Sequence, residues 1–474
     1  MLFNSLQFVI FFPLVTVLYF LLSYRYRIVM LLAASCLFYM AFVPKYLFIL
    51  IIIIGIDFWA GLAMDKVRNE SRKFILAASL LANIGILFIF KYYNFFSMNI
   101  SAMGQLILPG WSLPVLSWAL PLGLSFHTFQ AMAYTIEVYL RRYPAERKLH
   151  IYALYVLYYP QLVAGPIERP QYLLPQLHSS KDFSVSNFVD GLKLMLWGFF
   201  KKVVIADRLT VLVDLVYQDP ASFSGPMLLL AMIFFSFQIY CDFSGYTDIA
   251  RGASQVMGIR LMLNFKRPYL ASSLTDFWRR WHISLSSWFR DYVYIPLGGN
   301  RVSLPRSYVN LFTVFILSGF WHGAAWTYII WGLLHGIGVS VEKWVGKTHK
   351  TDPGILRRAA TFLLVSIAWV YFRATSLTSA NQFLKGLTRG WSLNQFRFDI
   401  QGVGDHGFYP MEFLISVFLC LILLVIEALE EERSFNLRLG KVSPALRIAL
   451  YYLGIVFVLI FGKFSQEKFI YFQF

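Results

Sequence analysis

The stretch YLFILIIIIGIDFWAGLAM, residues 46–64, is apolar over the length that a helix needs to cross a bilayer, about 17–25 residues. Comparable runs recur along the whole 474-residue sequence, which is 58% hydrophobic and only 14% charged. Soluble proteins average roughly 25% charged residues, so the composition indicates a membrane protein. The predicted spans lie near residues 6–24, 28–43, 46–64, 74–96, 113–140, 149–164, 225–241, 306–322, 324–341, 356–373, 412–430 and 446–463.

These runs predict an all-α polytopic membrane protein, because backbone that faces lipid must satisfy its hydrogen bonds internally. Their number and length predict about 11–12 transmembrane helices. Several runs are short for a span, so the prediction also includes re-entrant and interfacial helices. The sequence has no internal repeat and no linker that would separate a soluble domain. It is therefore interpreted as a single transmembrane domain over residues 1–474.

The net charge of +17 is distributed between the apolar runs, which argues against a nucleic-acid-binding surface. Basic residues cluster at 65–73 and 141–148, whereas the loop 97–112 has none. Cytoplasmic loops carry an excess of lysine and arginine, so the two clusters are predicted inside and both the N-terminus and the C-terminus outside. Other basic residues interpreted as cytoplasmic are Lys343, Lys347, Lys350, Arg357, Arg358, Arg433, Arg438, Lys441 and Arg447. The segment 165–224, which is amphipathic in part, has no assigned orientation.

Several other kinds of chemistry find little support in the sequence. The glycine pattern GVGDHG at 402–407 follows no predicted strand, so it does not indicate dinucleotide binding. No Gly-x-Ser-x-Gly motif provides a hydrolase nucleophile. No histidine has an aspartate five positions later, and no two histidines are four positions apart. The three cysteines, Cys36, Cys241 and Cys420, lie far apart in apolar runs, so neither a disulfide framework nor a metal site is predicted.

Polar residues interrupt the apolar pattern first in QIYCDFSGYTDIARG, residues 238–252. Asp242 and Asp248 lie close to the end of a predicted span. Carboxylates within a membrane are costly and usually face a cavity or a partner. Alternatively, these residues cap a helix end, and the sequence does not decide between the two interpretations.

The second interruption, at 273–301, is too charged to span freely and too aromatic for a simple loop. It predicts a short helix or a re-entrant element enclosed by protein, with Asp276 and Arg280 paired at i, i+4. An interfacial helix that only anchors the fold is the alternative. The charged residues and the histidine of this stretch are Asp276, Arg279, Arg280, His282, Arg290 and Asp291.

The third interruption is LSGFWHGAAW, residues 317–326, which places one histidine, His322, among small residues. Small residues allow helices to approach closely and leave space beside the imidazole. Trp321, Trp326 and Trp331 could wall a cavity there. A hydrogen-bonded packing role for His322 remains the alternative. His335, in WGLLHG, gives a weaker signal of the same kind.

The last two stretches resemble the membrane-bound O-acyltransferase (MBOAT) family. The residues DFWRRWHISLSSWFRDYVYIPLGG and SGFWHGAAWTYIIWGLLHG carry the resemblance, and YCDFSGYTDIARG and LVAGPIERP are similar to further parts of the family pattern. The resemblance extends over essentially the whole chain. The most similar branch is the bacterial one that contains the alginate O-acetyltransferase membrane subunit, related to the D-alanyl transferase of teichoic acid and to peptidoglycan O-acetylases.

The resemblance implies a catalytic histidine at His322 and a second family histidine at His282, beside a central tunnel. It implies that an acyl group, most simply acetyl, passes from a cytoplasmic thioester donor (acetyl-CoA or an acyl carrier protein) to an exported polysaccharide such as alginate. No bound cofactor is expected. A partner acetyltransferase outside the cytoplasm, a lipid environment and the bacterial inner membrane belong to the same expectation. The tunnel or donor-binding residues would be Asp276, Arg279, Arg280, Arg290, Asp242, Trp321 and Trp326.

Three alternatives remain at this point: D-alanyl transfer to teichoic acid or peptidoglycan O-acetylation, a non-enzymatic transporter, and a scaffold for a secreted enzyme. The paired broken helices and inverted repeats that are typical of transporters are not found.

The last residues of the sequence, FIYFQF at 469–474, are unusually aromatic. An interfacial anchor is one interpretation. The resemblance suggests another, in which Tyr471 accepts the acyl group as a phenolic ester and relays it to the partner. A phenol with a pKa near 10 needs a base to attack a thioester, and His322 could supply it.

Overall fold

The computed structural model describes residues 1–163, 165–346, 354–432, 442–464 and 470. Regular structure within these residues is helical, which confirms the predicted all-α class. The α-helices are α1 (Leu6–Leu21), α2 (Tyr24–Met40), α3 (Leu47–Lys66), α4 (Asn69–Leu87), α5 (Tyr93–Gln105), α6 (Leu124–Tyr139), α7 (Leu149–Leu157), α8 (Tyr159–Leu162), α9 (Pro170–Leu177), α10 (Val185–Phe199), α11 (Asp207–Gln218), α12 (Gly225–Val256), α13 (Leu274–Arg280), α14 (Ile283–Phe289), α15 (Leu304–His322), α16 (Trp326–Val345), α17 (Ile355–Arg373), α18 (Leu377–Gly386), α19 (Leu393–Gly404), α20 (Pro410–Glu432) and α21 (Pro444–Phe461). Lys347, Lys350, Arg433, Arg438, Lys441 and Tyr471 lie outside the described residues.

Six helical segments in the described part of the chain are long and apolar enough to cross a membrane, and the shorter α1 is apolar as well. The protein is therefore a multi-pass membrane protein, while the total of 11–12 crossings stays a prediction. The six segments are Pro44–Lys66, Glu70–Gln105, Gly225–Val256, Ile355–Arg373, Pro410–Glu431 and Pro444–Phe461.

Two predicted spans form shorter helices than their hydrophobicity suggests. Of residues 113–140, only α6 is helical, and Pro114 and Pro121 precede it. The run at 149–164 divides into α7 and α8 at Tyr158, whose ψ of 112° is not helical, with Pro160 in the first turn of α8. Proline lacks an N–H and disfavours helical conformation in the residue before it, which explains both interruptions.

The chain divides into two compact units. The first contains residues 1–195 and 249–262. Arg72 of α4 binds the carbonyl oxygens of Met64 and Val138, at 2.8 and 2.7 Å. These bonds connect the ends of α3, α4 and α6. The prediction of a single domain over the whole chain is not decided by this division.

The second unit contains residues 196–248 and 263–474. Within this unit, α15 and α16 pack closely against each other at positions that are occupied by glycine. A Cβ atom on Gly319 would lie 2.2 Å from the Tyr328 carbonyl oxygen, and one on Gly332 would lie 2.3 Å from that of Phe315. The small residues of the 317–326 stretch therefore set the distance between these helices, as the sequence predicts.

Candidate active site

His322 is the last residue of α15 and is only 4% exposed. The helix ends there because Gly323 is extended, with φ of −160°. The His322 ring lies edge-on to Trp331 of α16 and to Phe372 of α17, with centroids 5.2 Å away in both cases. Its neighbour Trp321 is also buried, with ring centroids 4.9 Å apart. The imidazole is thus enclosed by aromatic rings contributed by three helices.

His282 lies between α13 and α14, and its ring centroid is 6.4 Å from that of His322. The structure therefore brings the two predicted histidines together. His282 is fully buried and has a φ of +42°, in the left-handed region that residues other than glycine rarely adopt. Such strain persists only where the surroundings enforce it, and it is common at functional sites.

Asn264 fixes the orientation of His282. The Oδ1 atom of Asn264 accepts hydrogen bonds from the backbone N–H and the hydroxyl of Ser284, and it lies 3.2 Å from Nδ1 of His282. Because this oxygen is an acceptor, Nδ1 of His282 donates and carries the proton. Burial lowers the pKa of His282 to about 3, so the imidazole is neutral at physiological pH.

The helix before His282 is held by charged residues from two other helices. Glu342 of α16 accepts hydrogen bonds from the backbone N–H groups of Leu274 and Thr275, at the start of α13. Arg280, at the end of α13, pairs with Asp276 at 2.9 Å and with Glu431 of α20 at 2.9 Å. The predicted i, i+4 pair is therefore present in the structure, and both ends of α13 are fixed.

A cavity of about 1150 Å³ opens beside this site, and its lining residues all belong to the second unit. It reaches Ser318, which is one helical turn before His322 on α15, and Trp278 on α13. Four basic side chains line it, together with the carboxylates of Asp276 and Glu342. The basic residues are Arg279, Arg290, Lys343 and Arg357. The cavity thus combines an apolar wall with positive charge, which suits an acyl chain joined to an anionic group.

Not all of the predicted residues line this cavity. Arg280 is instead paired with Asp276 and Glu431, and Asp242 forms a buried ion pair with Lys202 at 2.6 Å. Trp326 is 51% exposed at the start of α16. The lining residues include Asp276, Arg279 and Arg290. Those that are not among them are Arg280, Asp242, Trp321, Trp326 and the two histidines His282 and His322.

His335, which gave the weaker signal in the sequence, packs against aromatic side chains. Its ring stacks on Phe277 with an angle of 7° between the planes, and its Nδ1 accepts a hydrogen bond from the indole of Trp278 at 3.3 Å. Sequence reasoning missed Asn264 and Phe372, because an isolated asparagine and one phenylalanine among 46 carry no local signal.

The sequence around this site matches the model of the membrane-bound O-acyltransferase family over residues 140–380. The chain belongs to this family. It is accordingly an O-acyltransferase, as the resemblance implies.

Individual relatives of this enzyme have three different names. It is 40% identical over 388 residues to a probable alginate O-acetylase AlgI from Pseudomonas syringae, covering 81% of this chain and 74% of the relative. It is 35% identical to a peptidoglycan O-acetyltransferase from Helicobacter pylori, covering 94% and 91% of the two chains. A teichoic acid D-alanyltransferase from Bacillus subtilis is 32% identical, over 52% of this chain and 65% of that one.

Proposed function

We propose that this acyltransferase moves an acetyl group from a cytoplasmic thioester donor to an exported polysaccharide, with His322 as the general base. The observation that carries the proposal is the pairing of a buried His322 with a neutral, oriented His282, close to a large cavity that reaches Ile283 and Ser318. A neutral imidazole can accept the proton of an attacking hydroxyl, and the enclosing rings keep water from the thioester.

The chemical step balances with these residues. His322 takes the proton of the attacking hydroxyl, and the hydroxyl oxygen forms a bond to the thioester carbonyl carbon. The carbon–sulfur bond then breaks, and the departing thiolate receives the proton from His322. His282 supports this cycle because it stays neutral, so no fixed positive charge opposes protonation of the neighbouring imidazole.

The cavity supplies a binding mode for the donor. Both acetyl-CoA and an acyl carrier protein present the thioester on a phosphorylated pantetheine arm. Arg279 and Arg290 lie on the cavity wall with Lys343, and arginine binds phosphate through paired hydrogen bonds. Asp276 and Arg280 keep α13, and therefore Arg279, in place.

The names of the relatives support an acetyl group and a polysaccharide acceptor. Those named for alginate O-acetylation share 38–40% identity with this chain, which favours alginate or a similar polymer. Peptidoglycan is the second candidate, because the Helicobacter pylori relative aligns with 94% of the chain. D-alanyl transfer is the weaker alternative, since the alignment with the teichoic acid D-alanyltransferase covers only 52% of this chain. A membrane location at the inner membrane and a partner transferase outside the cytoplasm complete the proposal.

We extend the proposal to Tyr471 as the acyl relay. Its phenol oxygen would bond to the thioester carbonyl carbon while His322 accepts the phenol proton; the carbon–sulfur bond would break, and the departing thiolate would receive that proton. The resulting aryl ester would pass the acyl group to the acceptor hydroxyl through the partner, and the phenolate would receive the proton of that hydroxyl. The neighbouring Ile470 is buried, with 3% exposure. Replacement of Tyr471 by phenylalanine should abolish polymer acylation at normal protein levels, whereas full activity would leave the tail as an anchor.

The donor step can be tested with purified protein in detergent. Acetyl-CoA and an acetylated acyl carrier protein serve as alternative donor probes, soluble alginate is supplied as the acceptor, and the release of thiol is measured. The protein should release thiol from one probe, and His322→Ala should slow this release about 10²–10⁴-fold. Equal release by His322→Ala and the unsubstituted protein would refute the general-base role.

A further inference from the structure

The end of α21 and two residues beyond it, Lys463 and Ile470, bind other parts of the second unit. Arg208 donates a hydrogen bond to the carbonyl oxygen of Phe461 at 2.7 Å, where α21 ends. The backbone N–H of Lys463 binds the Val203 carbonyl oxygen at 2.8 Å. The backbone N–H of Ile470 binds Oδ2 of Asp242 at 2.7 Å. We propose that Asp242, with Lys202 and Asp207, is the docking site for the C-terminal segment, residues 462–474.

The charges of the docking site explain why a backbone N–H binds there. Lys202 pairs with Asp242 at 2.6 Å and with Asp207 at 2.7 Å, and the side chains of all three are at most 4% exposed. Two carboxylates share one ammonium group, so the cluster has a net negative charge in a region that excludes water. Buried carboxylates need further hydrogen-bond donors, and Ile470 supplies one to Asp242.

The local packing of α12 places Asp242 in this position. A Cβ atom on Gly245 would lie 2.8 Å from the Gly198 carbonyl oxygen and 3.0 Å from the backbone nitrogen of Lys202. The absence of a side chain therefore lets α12 lie directly against the π-helical segment Phe200–Ala206. Asp242 is three residues before Gly245, so its carboxylate faces Lys202 on that segment.

Recognition of the segment combines a backbone bond with an apolar contact. The Asp242 carboxylate binds the main chain of Ile470, and the Ile470 side chain is itself buried, with 3% exposure. Residue 471 is the next in sequence. If the relay of the proposed function is correct, on which this step rests, Asp242 is a positioning residue that fixes the segment carrying Tyr471. Asp242 would then support catalysis without contacting the substrate.

Two variants of Asp242 separate docking from the general effect of losing a charge. Asp242→Asn and Asp242→Leu both remove the carboxylate and leave Lys202 paired with Asp207, and their side chains are similar in size. Only asparagine keeps an acceptor oxygen for Ile470. A difference between these variants therefore reports the hydrogen bond to the segment.

The measurement is the reactivity of a cysteine placed at position 470 by Ile470→Cys. The protein in detergent is treated with a water-soluble maleimide, and mass spectrometry of the peptide that contains residue 470 distinguishes it from the native cysteines. Cys labelling at 470 should be slow with Asp242 and with Asp242→Asn, and at least about tenfold faster with Asp242→Leu, as expected for loss of about 1.4 kcal/mol of docking. Equal labelling in the Asn and Leu variants would overturn the docking site.

A control and an activity assay complete the test. The Arg373–Asp214 ion pair, also 2.6 Å long, connects α17 to α11, and Asp214→Asn should leave position 470 protected. If Asp214→Asn exposes it as fully as Asp242→Leu, general loosening explains the labelling and the docking site is wrong. Acyl transfer should fall in Asp242→Leu and persist in Asp242→Asn. Exposure of position 470 with full transfer by Asp242→Leu would confirm docking but refute Asp242 as a positioning residue.

Discussion

Two buried histidines, His127 in the first unit and His322 in the second, have almost the same exposure, 2% and 4%. His127 lies on α6, and its Nδ1 is 3.1 Å from the carbonyl oxygen of Val156. His322 lies between aromatic rings, near a second histidine and a cavity with basic walls. Burial in an apolar run therefore does not identify a reactive imidazole; the groups around it do.

The carboxylates of the two units differ in the same way. Asp57 of α3 is completely buried and accepts hydrogen bonds from Ser79 at 2.5 Å and from Asn83 at 2.9 Å, both on α4. These bonds stay within one helix pair, which indicates a structural role. Asp242 instead binds a segment 228 residues later in the chain. A buried carboxylate is thus informative when its partner lies in another part of the chain.

The largest effect among the supporting residues is expected at Asn264. Asn264→Leu removes the acceptor for His282 and Ser284 and leaves buried donors unsatisfied, which costs about 1–3 kcal/mol. Turnover should fall about 10–100-fold through loss of the His282 orientation, since each 1.4 kcal/mol is a factor of about ten. Asn264→Asp keeps the acceptor and should retain more activity. Equal losses in both variants would show that orientation of His282 is not the cause.

A smaller effect is expected at the cavity wall. Arg279→Met keeps the aliphatic part of the side chain and removes one charge that faces the cavity. The KM for the thioester donor should rise about tenfold, with kcat nearly unchanged, because a charge-assisted hydrogen bond contributes about 1.5 kcal/mol or more and each 1.4 kcal/mol is a factor of about ten. Arg301→Met provides the control, since Arg301 is exposed and is not among the lining residues. An unchanged KM in Arg279→Met would exclude the arginine from donor binding.

The smallest effect on catalysis is expected in the first unit. Ser79→Ala deletes one donor to Asp57 and should lower the stability of the folded protein by about 1–3 kcal/mol. Acyl transfer per folded molecule should not change, because the cluster lies outside the proposed site. Thermal unfolding in detergent and the transfer assay measure the two quantities separately. A selective loss of turnover without a loss of stability would contradict the structural role of Asp57.

The sequence correctly predicts the helical membrane class and the small residues between α15 and α16, because these depend on local patterns. The catalytic role of His322 stays a prediction. Hydrophobicity also predicts a span at 113–140, where most of the first half is not helical because prolines interrupt it. Phe372 and Asn264 could not be identified, since they reach the site only through packing of distant segments. The sequence also marks Asp242 as a costly carboxylate, but the binding of Asp242 to Ile470 depends on a contact that no local pattern encodes.

The most direct test of the central claim compares the two buried histidines in cells. His322→Ala and His127→Ala are expressed separately in cells that lack the native chain, and the ester-linked acyl groups on the exported polysaccharide are quantified after alkaline release. Each value is divided by the amount of folded protein in the membrane. His322→Ala should reduce acylation at least about 100-fold, and His127→Ala should leave it nearly unchanged per folded molecule. Normal acylation by His322→Ala, or an equal loss in both variants, would contradict the account.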